Sequence, residues 1–160
     1  MSLRKPLVLN NGVWEQLQSG DTLDAATIAK DVVIVTNGAA TAITICQAVY
    51  ISGENQVQLA QANAAGTTKV CGLVATASIT SSGTGSIQTD GILNATTAQW
   101  DAVTGDTGGL TPGATYYLDA ASPGNITKSP DSSSGNFIMK VGMAFSSTDL
   151  EIDISDPIRL

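Results

Sequence analysis

The chain has no histidine at all. That absence removes the commonest general base, the Ser-His pair and the imidazole-ligated hydrolytic metals together. Serine, threonine and lysine chemistry would have to stand alone. Ser81, Ser82 and Ser132–Ser134 lie in glycine-rich turns, and none of them is followed by a lysine at the Ser-x-x-Lys spacing that activates a serine. Basic residues are also scarce, seven against fourteen acidic ones, for a formal net charge of −7. A phosphate backbone requires a basic patch to displace its counterions, and the one cluster is Arg4-Lys5, so nucleic acid is not an expected partner. An anionic membrane surface would repel the chain as well. No apolar run approaches the roughly 18 residues of a membrane span. Asn10, Asn11 and Gly12 interrupt Leu7-Val8-Leu9 before it could serve as the core of a signal peptide. The expectation is a chain made and kept in the cytoplasm until something else releases it.

Two cysteines and few aromatics narrow the field further. Cys46 and Cys71 sit in apolar runs with no CxxC partner, and they read as reduced core thiols, with a disulfide or metal site as the alternative. Without histidine, a structural zinc site lacks its ligands. Aromatics make up 4% of the chain, and Trp14, Trp100, Tyr50, Tyr116 and Tyr117 are too scattered to form a sugar-stacking platform. Tyr116 and Tyr117 are adjacent, so on a strand one points inward and the other outward. The outward one is the candidate for an interface or ligand contact.

Short catalytic signatures occur without their surroundings. Asp106-Thr107-Gly108 spells the centre of the aspartic-protease motif, which belongs at the end of an apolar strand, but glycines flank it on both sides. It reads as a solvated turn. Gly83-Thr84-Gly85 is not continued into a phosphate-binding loop and reads as a hairpin turn. No catalytic residue and no cofactor is expected.

What is present is β-structure. A chain of 160 residues hides about 70% of its unfolded surface, enough for one self-sufficient core. Charged residues are 13%, and abundant Gly, Ala, Ser and Thr give a surface of small neutral side chains that lose little entropy when packed into an assembly. Residues 1–24 hold Leu7-Val8-Leu9, then Val13, Trp14 and Leu17, with a turn signal at Asn11-Gly12, and read as an extended arm or one hairpin. Residues 25–160 form the body. Val32–Val35 and Ala42–Cys46, joined through Asn37-Gly38, read as a hairpin or strand pair. Strands then recur over Ala48–Ser52, Gln56–Ala60, Lys69–Ile79, Ser86–Leu93, Thr115–Asp119, Asn125–Lys128, Phe137–Phe145 and Asp149–Ile154. Short strands between turn clusters predict an all-β fold, a small antiparallel barrel or sandwich. The one helix spans Thr97–Val103, capped by Thr96 or Thr97 and stopped by Gly105.

Asp149, Glu151 and Asp153 alternate along a strand and share one face, opposite Leu150, Ile152 and Ile154. Such a row suits either an outward polar face, with Lys128 or Lys140 offsetting the repulsion, or a calcium ion. The polar face is the expectation, and no metal is assigned.

The stretch from Gly109 to Ile154 carries a resemblance. A strand ending in Tyr116-Tyr117-Leu118-Asp119, a Pro123-Gly124 turn, the step Ile126-Thr127, a polar loop and Val141-Gly142-Met143-Ala144 resemble a small β module of tailed-bacteriophage virion proteins. Ala48-Val49-Tyr50, Gln56–Ala60, Val70–Ala75 and Gln88–Gly91 are similar to its first half. The leader, Arg4-Lys5-Pro6-Leu7-Val8-Leu9-Asn10-Asn11-Gly12 running into Gln16–Leu23, is similar to the front of tail-fibre and head-decoration proteins. The resemblance implies a homotrimeric particle component, a capsid decoration or head-fibre protein in contact with major capsid or tail proteins. The alternative is a tail-fibre or baseplate component that binds carbohydrate. The arm, with Arg4, Lys5, Leu7, Val8, Leu9 and Trp14, is then the attachment segment.

Overall fold

A computed structural model describes residues 31–160 throughout and the backbone of 7–10 and 13–16. The first strands, β1 (Leu7–Asn10) and β2 (Val13–Gln16), pair antiparallel with Asn10 opposite Val13, the register a two-residue connection imposes. The front of the chain therefore contains a hairpin, the second of the two forms expected of it. Among the described residues this hairpin pairs with itself alone. Arg4 and Lys5 lie outside the described residues.

The body begins with β3 (Asp31–Asn37), followed by β4 (Ile43–Thr44), β5 (Ala48–Gly53), β6 (Gln56–Leu59), β7 (Val70–Val74), β8 (Ser78–Ile79) and β9 (Thr84–Asn94). Strands β9, β3, β6, β5 and β7 follow one another around a ring, and β7 returns to β9 through Leu73↔Gln88 and Val74↔Ile87, which closes a five-stranded barrel. All its pairs are antiparallel except β3 with β6, which run parallel at Thr36↔Gln56 and Asn37↔Val57. Val35, Val49, Val57, Val74 and Ile87 fill the lumen, and Ile43 and Ile79 from the β4–β8 ladder join this cluster.

The pairing expected between Val32–Val35 and Ala42–Cys46 does not form, because β3 lies between β9 and β6 while β4 pairs with β8. Asn37 explains the difference. Its buried side chain donates Nδ2 to the carbonyls of Thr41 and Ile79 and accepts the Ala39 N–H on Oδ1, which turns the chain away from β3. The Asn-Gly signal is a turn, and the turn leads to another sheet.

Strand β9 is long enough to serve two sheets. At Asp90 its carboxylate accepts the N–H of Gly91, whose φ of 76° suits glycine, and from Gly91 to Asn94 the strand pairs with β14 (Asp149–Ile152). Beyond β14 come β13 (Lys140–Ala144), β10 (Thr115–Leu118) and β11 (Ile126–Thr127), all antiparallel. A small ladder of β12 (Phe137–Ile138) with β15 (Ile158–Arg159) completes the strands. The helix α1 (Thr97–Thr104) is capped as its sequence predicts. Thr96 and Gln99 form a reciprocal capping box, and Gly105 closes it in the left-handed region. Trp100 is fully buried, with Nε1 donating to the Thr148 carbonyl, and joins Leu93, Val103, Tyr116, Leu118, Val141 and Leu150 in the main core. Among the described residues the fold is all-β with one short helix.

Candidate assembly surface

Strand β3 outruns its neighbour. The β6 side is engaged from Thr36 onward, where its N–H donates to the Asn55 carbonyl at 2.8 Å, whereas Asn37 turns its N–H to Gly83 on the β9 side. Successive residues of a strand alternate the direction of their backbone groups, so Val32 and Ile34 share the direction of Thr36. The described residues offer them no ladder partner on that side. Their side chains are exposed too, Ile34 by 66%, and Ile51 on β5 is exposed by 68%. Between β3 and the β5–β6 turn lies a cavity of about 180 Å³ lined by Val33, Val35, Ile51, Val57, Cys71 and Ile87, with Asn55, Gln56 and Thr89 as its polar lining. This is the mouth of the barrel. Asp31, Glu54 and Asp90 are exposed around it, Asp31 lying opposite Asp90.

The structure resolves the tyrosine question. Tyr116 is fully buried and its hydroxyl accepts the Thr111 N–H at 2.9 Å, so it is a core residue and not a contact candidate. Tyr117, of opposite parity, is half-buried and keeps that candidacy. Leu7, Val8, Leu9 and Trp14 lie on the β1–β2 hairpin, with their side chains outside the described residues.

The acidic row is engaged locally. Asp149 accepts hydrogen bonds from Ser146 Oγ and from Asn94 Nδ2, and these, Ser146 first, hold its carboxyl below the usual range. Asp153 pairs with Lys140, one of the two lysines expected to offset the repulsion. The other, Lys128, lies 3.0 Å from Asp106, whose hydrogen bond raises the lysine's pKa. Among the described residues no three metal-ligating side chains converge. Asp106 itself is in a turn after α1, as its flanking glycines predict. The turn is held by Asp101, which accepts the N–H groups of Gly108 and Gly109.

Both thiols are free. Burial pushes Cys46 up to about 12, and it raises Cys71 as well, whose Sγ donates to the Val49 carbonyl at 3.4 Å. Neither is a thiolate near neutrality, and neither is poised as a nucleophile. Sequence reasoning missed the barrel mouth entirely. The unbroken aliphatic run Val32–Val35, which lacks the polar alternation of a half-solvated strand, was its one available signal. The chain matches no protein-family model, no curated protein and no solved structure.

Proposed function

We propose that the protein is a non-enzymatic structural component of a tailed-phage virion, an oligomeric capsid decoration or head-fibre protein that docks through its N-terminal arm. The observation that supports assembly is the β3 edge beside the apolar mouth, which no described strand pairs on the β6 side from Val32 to Ile34. A bare edge with exposed Val32, Ile34 and Ile51 is an association surface unless something covers it. The virion assignment rests on the sequence resemblance, as does the homotrimer. Major capsid or tail proteins are the other proposed partners. Nucleic acid and membrane are not, given the net charge of −7 and, among the described residues, the lack of a helix long and apolar enough to cross a bilayer. Immunogold labelling of intact particles tests the proposal. Gold along the head supports decoration, and unlabelled particles overturn the virion assignment.

A tail-fibre or baseplate component with carbohydrate affinity is the second reading, favoured by the outward placement of Tyr117. A glycan array on the purified protein separates the two. Specific hits lost in Tyr117→Ala support receptor binding, and a blank array leaves decoration.

A further inference from the structure

Two β surfaces of this molecule have no partner among the described residues, and their chemistry matches. One is the open side of β3, where Val32 and Ile34 direct N–H and C=O groups away from β9, and where apolar side chains stand on both faces, Val33 toward the cavity and Ile34 away from it. The carboxylates of Asp31, Glu54 and Asp90 surround it, and Lys69, next to β7, is the only cation adjoining the barrel strands among the described residues. The other is the β1–β2 hairpin, which forms its own two-stranded sheet, an arrangement of marginal stability in water. Strand β1 contains Leu7-Val8-Leu9, three consecutive apolar residues that supply apolar groups to both faces of any sheet it joins, and Arg4-Lys5 precedes it.

Deepening the self-assembling reading on which it rests, we propose that β1 of one copy adds to the open β3 edge of the next copy. Main-chain hydrogen bonds to Val32 and Ile34 then supply affinity. Apolar side chains of β1 enter the mouth, and Arg4 and Lys5 meet the surrounding carboxylates. Among the described residues β1–β2 and the barrel do not pair within one copy, and the acceptor edge proposed is that of another copy. Residues 17–30 span up to roughly 50 Å when extended, enough to reach a neighbour. Each copy gives one strand and receives one. The contact is head-to-tail, and a closed ring leaves no β3 edge bare.

Two variants of the full chain test this by sedimentation. Arg4→Glu with Lys5→Glu spoils the donor strand and keeps the edge. Ile34→Lys spoils the edge and keeps the donor, and it alters a residue exposed enough for the body to fold. Wild type is expected to form a ring in which the Val32 and Ile34 amides resist hydrogen exchange. Each variant alone is expected to associate at least roughly tenfold more weakly, and an equimolar mixture to yield a heterodimer and nothing larger. Variants that assemble like wild type, a mixture without heterodimer, or a wild-type chain whose Val32 and Ile34 amides exchange freely would each overturn the proposal. Ring formation alongside unlabelled particles sinks the virion reading alone, and labelled particles without strand exchange sink this inference alone.

Discussion

At Gly142 the backbone leaves no room for a side chain. An added Cβ would lie 2.1 Å from the carbonyl oxygen of Glu151, a main-chain atom of the neighbouring strand that cannot swing aside. The irregular register of β13 against β10 at this point is the bulge or close approach that a glycine inside a strand signals. Gly142→Val therefore forces β13 and β14 apart, and the cooperative melting transition followed by circular dichroism is expected to disappear. Ile152→Asp has the same outcome, since an unpaired carboxylate on a core position costs several kcal/mol, on the scale of the whole stability. Asp153→Asn, which removes only an exposed pair with Lys140, is expected to leave the melting temperature nearly unchanged, and chelator is expected to do nothing. Gln88 makes the opposite case. It is fully buried, its Nε2 donates to the Asp90 carbonyl, and its Oε1 has no partner among the described residues. An unsatisfied buried oxygen is destabilising, so Gln88→Met is expected to stabilise the body by about 1 kcal/mol in urea titrations.

The elements show where sequence reading succeeds and why it stops. Local chemistry made α1 legible to its caps, because Thr96, Gln99 and Gly105 each satisfy or terminate the helix through neighbours a few residues away. The alternation of Thr115–Leu118 and Asp149–Ile152 was legible for the same reason, their buried and half-buried residues following a period of two. What β3 pairs with was not legible, since the choice was made by Asn37 reaching Ile79, 42 residues away in sequence. The turn before β14 also carries a pH response. Asp149 gains hydrogen bonds from Ser146, Asn94 and Thr148 only when folded, which lowers its pKa, so the stabilisation is complete above its unfolded value near 3.9 and disappears as pH falls through the folded one. Asp131, held low by Ser133 and Asn136, acts in the same direction. Midpoint denaturant concentration is expected to fall below about pH 4 and to change little between pH 5 and 8. In Asp149→Asn the acid-side slope is expected to become shallower.

For the whole molecule the decisive feature is that the barrel closes without the first strands. The ring β9, β3, β6, β5, β7 is complete between Asp31 and Gln88, and its lumen is filled by residues from Val35 to Ile87. That ring rests on contacts such as Val32↔Gln88, pairings between strands far apart in sequence that no local pattern encodes, which is why barrel and sandwich were both open in the sequence. The consequence bears on the division at residue 24. The β1–β2 hairpin contributes no pairing to the barrel, so removing residues 1–12 deletes a donor strand and no core residue of the described body. The shortened chain is expected to keep a cooperative melt with the same denaturant slope, because the surface buried on folding is nearly unchanged. It is also expected to fail to assemble and to be missing from particles. The bare β3 edge should then make it more prone to precipitate on concentration, an effect that Ile34→Lys in the same shortened chain should reverse by placing a charge on that edge. An insoluble or unfolded product from the shortened chain carrying Ile34→Lys would mean instead that the arm completes the fold, and the division between arm and body would fail.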